Sequence, residues 1–303
     1  MSAEQDAPAV WTVLLNWNGW RDTDACLASL KGLTYPNFNV VVVDNASSDG
    51  SEARLRELHP GLTLLQSGAN LGFAGGNNVG LRYALEHGAE YVWLLNNDTL
   101  VEPDALSELV AKMRRDPSLG LCGSTLLYES ARDTVQALGG AHYNRWLGTV
   151  KHIGHHERWP QAVNERAVER KLSYLIGAST LASRAFLEGV GLLQDDYFLY
   201  FEELDWAARA RGRFRLGYAA KSVVYHKEGS SIGGNDRAKS AKSYTADRYA
   251  LQNRVRFTRR FYPYALPGVY LGLVVALANR VRRRQWDRVG LVVRIMLSGG
   301  RVR

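Results

Sequence analysis

The chain has 303 residues, 46% of them hydrophobic, enough to bury the core of one large α/β domain or two small ones, which excludes a disordered or fibrous protein. Its formal net charge of +8 is unevenly placed: residues 251–303 hold 12 Arg and a single acid, Asp287, while the rest of the chain is slightly acidic. An arginine-rich tail on such a body suits an anionic membrane surface and speaks against a nucleic-acid groove running across the fold.

From Val10 to about Gly123 short β-branched runs alternate with helical patterns, the signature of a parallel sheet with crossover helices. VWTVLLN (10–16), FNVVVVD (38–44), LTLLQ (62–66) and YVWLLN (91–96) read as the first four strands, each too short for a helix and followed by turn residues. A helix capped by Asp22 or Thr23 would set Cys26, Leu27 and Leu30 on one face, and Pro103 opens another that runs to about Arg114. Residues 124–170 lose this rhythm around Gly139, Gly140, Gly148 and Gly154, so an irregular stretch with a hairpin is expected there. Regular structure returns at KLSYLIGAST (171–180), followed by a helix from about Arg184. In YFLYFEELDWAARARGR (197–213), Leu204, Ala207, Ala208 and Arg211 fall at helical spacing, which puts Glu202 and Glu203 in the first turn, where the helix dipole favours acids. Strands FRLGY and SVVYH, a Gly/Ser/Lys-rich loop (227–243) and a helical tail complete the chain. Within the tail, Phe261–Asn279 is uncharged, but Pro263 and Pro267 are expected to break its start and leave a helix too short to span a bilayer. Trp286, Leu291, Val292 and Ile295, with arginines at 282, 283, 284, 288 and 294, would suit a helix lying at an anionic interface; a helix packed on the domain is the alternative.

Two cysteines, Cys26 and Cys122, stand far apart with no partner at metal or redox spacing, so no disulfide scaffold is available. The N-terminus carries Glu4 and Asp6 and no basic, apolar run, which does not read as a secretory signal. A cytoplasmic protein, peripheral at the cytoplasmic face of a membrane, is the expectation.

Ligands of open α/β sheets bind beyond the carboxyl ends of the strands, and here four successive strand ends are polar. They are Asn16-Trp17-Asn18-Gly19, Asp44-Asn45-Ala46-Ser47-Ser48-Asp49-Gly50, the loop NLGFAGGNNVG (70–80) and Asn96-Asn97-Asp98. Any one alone would be ordinary turn chemistry. As an acceptor-only carboxylate, Asp44 would suit the imide N–H of uracil or thymine, or the N1–H edge of guanine. The 70–80 loop opens a helix whose backbone N–H groups could receive a ribose or diphosphate, although it lacks the spacing of dinucleotide folds and P-loops. Asp98 is a hard oxygen ligand for Mg2+ or Mn2+, and His226, ending SVVYH, could supply a second ligand. Glu202 and Glu203, beside aromatic residues, offer a carboxylate whose burial favours general-base work. His152, His155 and His156 fall at i, i+3 and i+4 with no nearby Cys, which reads as a surface or acceptor-side feature rather than a zinc site.

The set TVLLNWNG, VVVDNASSDGS, NLGFAGGNNVG, LLNNDT, YFLYFEELDWAARA and VVYHKEGS resembles family 2 glycosyltransferases of the glycosyltransferase-A fold, particularly the bacterial rhamnosyltransferase-like branch, over roughly residues 10–260. That resemblance implies a Rossmann-like, mostly parallel central sheet with helices on both faces. It divides the chain into a nucleotide-binding half (1–123), an acceptor and catalytic half (124–260) and a basic helical tail (261–303). By the same resemblance Asp44 contacts the nucleobase, and Asn16, Asn18, Asn70, Gly72, Asn77 and Asn78 belong to nucleotide-binding segments. The DxD element maps to Asn96, Asn97 and Asp98, the metal-binding histidine to His226 and the acid pair to Glu202 and Glu203. Asn96 stands where the family has Asp, which leaves Asp98 as the direct ligand. Glu203 stands where Asp is usual, which keeps Glu202 and Asp205 as alternative bases. The activity implied is inverting, metal-dependent transfer from a UDP-, dTDP- or GDP-sugar, with rhamnose the leading candidate, to a cell-envelope or polyprenyl-linked glycan. A sugar nucleotidyltransferase would carry a Gly- and Arg-rich phosphate loop after the first strand, which NWNGW is not; a non-catalytic membrane- or anionic-polymer-binding module would turn over no nucleotide sugar.

Overall fold

The computed structural model describes residues 7–227 and 243–301; most of the N-terminal decapeptide and nearly all of the Gly/Ser/Lys-rich loop lie outside them. The first half runs β1 (Val10–Asn16), α1 (Trp20–Leu30), β2 (Phe38–Asp44), α2 (Ser51–Leu58), β3 (Thr63–Gln66), α3 (Gly72–Glu86), β4 (Tyr91–Asn96), β5 (Thr99–Val101) and α4 (Ala105–Arg115). Strands β3, β2, β1 and β4 lie side by side in that order and all parallel, so the βαβαβαβ expectation holds. Their continuous apolar runs follow from burial on both faces. Along β1, Val10 and Leu14 face a core shared with α1, α2 and α4, while Trp11 and Val13 face a second core built with α3 and two later helices. On α3, a Cβ at Gly76 would come 2.4 Å from Leu15 and one at Gly80 2.4 Å from Val13, so these glycines let the helix axis approach the sheet.

The second half runs β6 (Leu119–Tyr128), β7 (Ala131–Leu138), β8 (Gly140–Asn144), β9 (Thr149–His152), α5 (Glu165–Glu169), β10 (Tyr174–Leu175), β11 (Ser179–Ser183), α6 (Arg184–Val190), α7 (Glu202–Ala210) and β12 (Arg215–His226). It extends the sheet as β4-β11-β6-β12-β5, with β11 antiparallel to both neighbours and β7 paired to β6, while β10-β8-β9 form a small second sheet. The central sheet is therefore parallel in its first half and mixed in its second. The segment expected to be irregular contains four strands, and the boundary drawn at residue 123 falls inside β6. FRLGY and SVVYH are one strand, β12, interrupted by a register shift between Ala219 and Val223.

Three helices end the chain: α8 (Tyr244–Phe261), α9 (Leu266–Arg282) and α10 (Trp286–Ser298). Phe257 and Tyr262 of the α8 end pack with Tyr143, Tyr197 and Leu204, which docks this layer on the catalytic half. Leu291, Val292 and Ile295 of α10 are buried against Leu251, Val255, Val269 and Leu273. Of the apolar face that the sequence offered to a membrane, Leu291, Val292 and Ile295 are thus interior, because α10 closes a three-helix core, while Trp286 stays exposed. Pro263 and Pro267 begin a helix rather than break one, as proline does in a first turn, and Pro263–Arg282, 20 residues containing an 18-residue window of mean hydropathy 1.4, is long and apolar enough to cross a membrane by length and composition.

Candidate active site

The carboxyl ends of β2, β1 and β4 are joined by one chain of buried polar side chains. Asn97 Nδ2 donates to Thr23 Oγ1 (2.9 Å), Thr23 Oγ1 to Asn16 Oδ1 (2.8 Å), and Asn16 Nδ2 to Asp44 Oδ1 (2.7 Å). In-register pairing of Asn16 with Asp44 brings the last two together. Thr23, expected as a cap, is instead the fully buried link between strand ends. Asp44 also accepts from Ser47 Oγ (2.6 Å), Ser47 N (3.0 Å) and Gln66 Nε2 (3.0 Å), so all four acceptor sites of its carboxylate are engaged. Of these donors Gln66 is exposed and shares its amide with Glu52, which makes it the one partner that a ligand could displace. Asn18 stands exposed in a left-handed turn (φ 51°) with its Oδ1 accepting from Ser48 N.

The 70–80 loop corrects one expectation. Leu71 N donates to Asn45 Oδ1, Gly72 N to Asn70 Oδ1 and Phe73 N to the Phe198 carbonyl, so the three N–H groups that would receive a phosphate are committed to the protein. Gly72 (φ +70°) is required here because a Cβ would sit 2.3 Å from the Phe198 oxygen. Asn77 and Asn78 lie within α3, not in a loop: Asn77 donates to the Phe73 carbonyl, and Asn78 exchanges two hydrogen bonds with the backbone of Leu193. Both brace the helix, and their amides do not face the sheet-end crevice as free donors. Asn45, which the sequence places at a polar strand end without a role of its own, also donates to Asn70 and the Gly72 carbonyl and ties this loop to β2.

At the other end of the crevice, pairing of β12 with β5 sets His226 opposite Thr99, one residue beyond Asp98. His226 Nε2 lies 3.2 Å from Asp98 Oδ1 and 3.4 Å from Asn96 Nδ2, and its Nδ1 lies 2.9 Å from Gln136 Oε1. An acceptor at Nδ1 places the proton there and turns the Nε2 lone pair toward the Asp98 carboxylate, the second-shell arrangement that metal-bound histidines use. Two acceptors converging on one point fit a divalent cation. Among the described residues no cluster of three or more His, Cys, Asp or Glu could hold a metal; they offer two ligands here, and a bound substrate could supply others. Among the described residues His152, His155 and His156 form no such cluster either; His155 Nε2 meets the Tyr128 hydroxyl at 2.9 Å. Gln136 carries no signal in sequence, because its strand lies in the stretch that lost the α/β rhythm.

Glu202 and Glu203 occupy the first turn of α7, as the spacing implies. Glu202 is 2% exposed and its Oε2 has no hydrogen-bond partner among the described residues; burial, and then the charge of Glu203, push its carboxyl well above the usual range. Glu203 is partly exposed and its Oε1 accepts from Gly177 N at 3.2 Å; burial raises its carboxyl too, against the lowering effect of its own and the Gly177 amide. Gly177 is followed by Ala178, whose carbonyl accepts from Asn96 N, so the acid pair and the Asp98–His226 pair stand at the same edge of the sheet. Asp205 is not a base: it is fully buried, with Arg209 Nε at 2.7 Å, Arg260 Nη1 at 2.9 Å and the Tyr197 hydroxyl at 3.1 Å. Two guanidinium groups and a phenol occupy its oxygens.

The backbone before the acid pair is strained. Phe198 (φ 60°), Tyr200 (φ 64°) and Phe201 (φ 78°) are all left-handed, a conformation costly for aromatic side chains. Asn253 of α8, buried at 1%, holds them: its Nδ2 donates to the carbonyls of Tyr197 (2.8 Å), Leu199 (2.8 Å) and Tyr200 (3.0 Å). Nothing in sequence marks Asn253. Cys26 and Cys122 are buried thiols outside the site, and burial pushes Cys26 up to about 12, so neither is a nucleophile. A cavity of about 560 Å3 lined by Pro8, Glu90, Tyr91 and Arg114 opens where β1 and β4 begin, at the opposite end of the sheet from these residues.

The family model for glycosyl transferase family 2 matches residues 12–191. The chain is similar to the N-acetylglucosaminyl-diphospho-decaprenol L-rhamnosyltransferase of Mycobacterium tuberculosis, with 27% identity over 251 residues, 74% of this chain and 80% of the relative. It is 25% identical to a dTDP-rhamnosyl transferase of Shigella flexneri over 201 residues, 66% of this chain and 62% of that protein. Among solved structures, a mannosyltransferase of Pyrobaculum calidifontis in complex with GDP-Man and Mn2+ superimposes with a TM-score of 0.58 at 18% identity, covering 96% of this chain and 87% of that one. That likeness shows a shared glycosyltransferase-A fold.

Proposed function

The chain belongs to glycosyl transferase family 2, and from that premise we propose that it is an inverting transferase. It moves a sugar, rhamnose foremost, from a UDP-, dTDP- or GDP-linked donor to a hydroxyl of a polyprenyl-linked cell-envelope glycan at the cytoplasmic face of an anionic membrane. Relatives named as rhamnosyltransferases, one of them for a diphospho-decaprenol acceptor, support the sugar and the acceptor. The observation that carries the chemistry is the raised, partly exposed carboxyl of Glu203 at the same sheet edge as Asp98 and His226.

The acceptor hydroxyl attacks the anomeric carbon from the face opposite the diphosphate. As the new C–O bond forms and the bond to the diphosphate breaks, Glu203 takes the hydroxyl proton. Gly177 N–H holds Oε1, which leaves Oε2 for that transfer, and a carboxyl raised by burial is a stronger base than an exposed one. Glu202, more deeply buried, packs beneath it. Asp98 and His226 would hold Mg2+ or Mn2+, whose chemistry there is to neutralise charge gathering on the departing diphosphate, worth several kcal/mol. The Mn2+ in the mannosyltransferase complex supports divalent-metal use. The nucleotide would lie across the ends of β1 and β2, with its base reaching Asp44 when Gln66 swings aside. In this reading residues 1–123 carry the donor side, 124–260 the acceptor side, and the helices beyond 261 the membrane side.

A panel of UDP-, dTDP- and GDP-sugars, assayed with a lipid-linked or soluble acceptor in Mg2+, Mn2+ or chelator, tests the proposal. Metal-dependent transfer with inverted anomeric configuration, lost in Glu203→Gln, is expected. Retained configuration, or undiminished transfer by Glu203→Gln, would refute the mechanism, and no turnover of any donor would point to a binding module.

A further inference from the structure

We infer that the outward face of α9, together with the tip of the β8–β9 hairpin, is the surface by which this protein lies on an anionic lipid bilayer. The inference deepens the membrane part of the proposed function and rests on geometry that is independent of the catalytic residues. On α9, Val269 and Leu273 are fully buried against α8 and α10, whereas Leu271 is 63%, Val274 47% and Val275 55% exposed. The exposed positions 267, 271, 274, 275 and 278 recur at helical spacing and are apolar, so the outward stripe runs for three turns before the exposed Asn279 ends it. A helix face turned to water is ordinarily polar, and scattered single hydrophobics do not make such a stripe.

The ends of the stripe identify its partner. At one end Trp146 (55% exposed), from the hairpin tip, meets Tyr264 (54%) edge-to-face at 5.3 Å, and the backbone of Trp146 lies against Gly268, where a Cβ would come 2.3 Å from its carbonyl oxygen. At the other end Arg282, Arg283 and Arg284 are exposed beside Trp286 (63%). An apolar stripe flanked by amphipathic aromatic rings and by arginines is complementary to acyl chains, the headgroup layer and anionic headgroups in turn. Crossing the bilayer is opposed by α9's other side, which is committed along its length to α8 and α10, and by Arg280 near its end, which holds Asp247 of α8 at 2.6 and 2.7 Å. Packed sideways on the domain, α9 lies in the interface.

The full chain is tested by co-sedimentation with vesicles of neutral phosphatidylcholine alone or with one-third phosphatidylglycerol. Binding to the anionic vesicles at least tenfold tighter than to neutral ones, and weakened by salt, is expected. L271E with V275E should abolish it, and R282Q/R283Q/R284Q should lower it at least tenfold and remove the salt dependence. Transfer to a soluble acceptor and the melting temperature should stay unchanged in both, so the surface can fail without touching the catalytic proposal. Equal binding to neutral vesicles, no binding, a dimer in solution dispersed by L271E/V275E, or resistance of the cell-membrane protein to alkaline carbonate would each overturn the inference.

Discussion

Replacing Asn253 by Leu keeps the number and branching of the side-chain heavy atoms and removes the amide that fixes the backbone before the acid pair. Three carbonyls, of Tyr197, Leu199 and Tyr200, share its two N–H groups. Two lost hydrogen bonds at about 0.5–1.5 kcal/mol each, and buried acceptors left unsatisfied, sum to about 2–4 kcal/mol. The three left-handed residues Phe198, Tyr200 and Phe201 cost about 1–3 kcal/mol apiece and persist only where the surroundings over-determine them. Relaxation of this stretch would therefore move Glu203 away from Gly177. A shift of 2–4 kcal/mol corresponds to about 30- to 1000-fold in the population of the poised turn, the upper bound on the loss in kcat. Steady-state transfer should show kcat at least tenfold lower with the donor KM within about twofold, because the donor-side residues on β1 and β2 are untouched. Asn253→Asp, isosteric but without the amide N–H groups, should fall with the Leu variant. Amide exchange at residues 197–203 should rise selectively. If N253L melts several degrees lower but keeps kcat within twofold at a temperature where it is fully folded, the amide only fastens α8 and the reasoning is wrong.

Glu203→Gln should lower turnover by about 10²-fold or more with nearly unchanged donor affinity by calorimetry; if Glu202→Gln is the inactive variant instead, the base has been assigned to the wrong member of the pair. Asp98→Ala should abolish both transfer and the metal dependence of nucleotide binding while the circular dichroism spectrum is retained, and full activity of this variant in chelator would exclude the Asp98–His226 site. Burial raises Glu202 and Glu203 above their unfolded values near 4.3, so the stability they contribute is full below that pH and is lost as pH rises through the raised values; the melting temperature of Glu202→Gln should accordingly fall less steeply above about pH 4.3 than that of the wild type, and parallel slopes would contradict the assigned burial effect. Asp44→Ala should weaken UDP, dTDP or GDP binding by about 1.5–3 kcal/mol, whereas Gln66→Ala should leave it equal or tighter because it uncovers one oxygen of Asp44; weakening by Gln66→Ala equal to that of Asp44→Ala would show that the amide itself is the contact.

The first four strands and the helices between them were legible because strands buried on both faces are written as short, nearly continuous apolar runs bounded by turn residues, as VWTVLLN and FNVVVVD are. The same holds for the acid pair, whose place in a first turn follows from the spacing of Leu204 and Ala207 alone. Sequence failed where polar residues are buried in strands. In β6, Ser124 binds Ser179 and Ser222 at 2.7 and 2.8 Å, and Thr125 binds Tyr218 at 2.7 Å, so partners from β11 and β12 satisfy groups that read locally as loop. It failed again on which face of an amphipathic helix meets protein: α10's stripe is interior and α9's is not, a choice made by the packing of three helices. The residue types at the strand ends, and with them the chemistry, are set by local sequence. Which of those residues are engaged in holding one another, as Asn78 and Asp205 are, and which stay reachable, as Glu203 does, is decided by the folded chain, through contacts between distant positions such as Asn78 with Leu193 and Asp205 with Arg260, because a hydrogen bond's partner is fixed by tertiary packing.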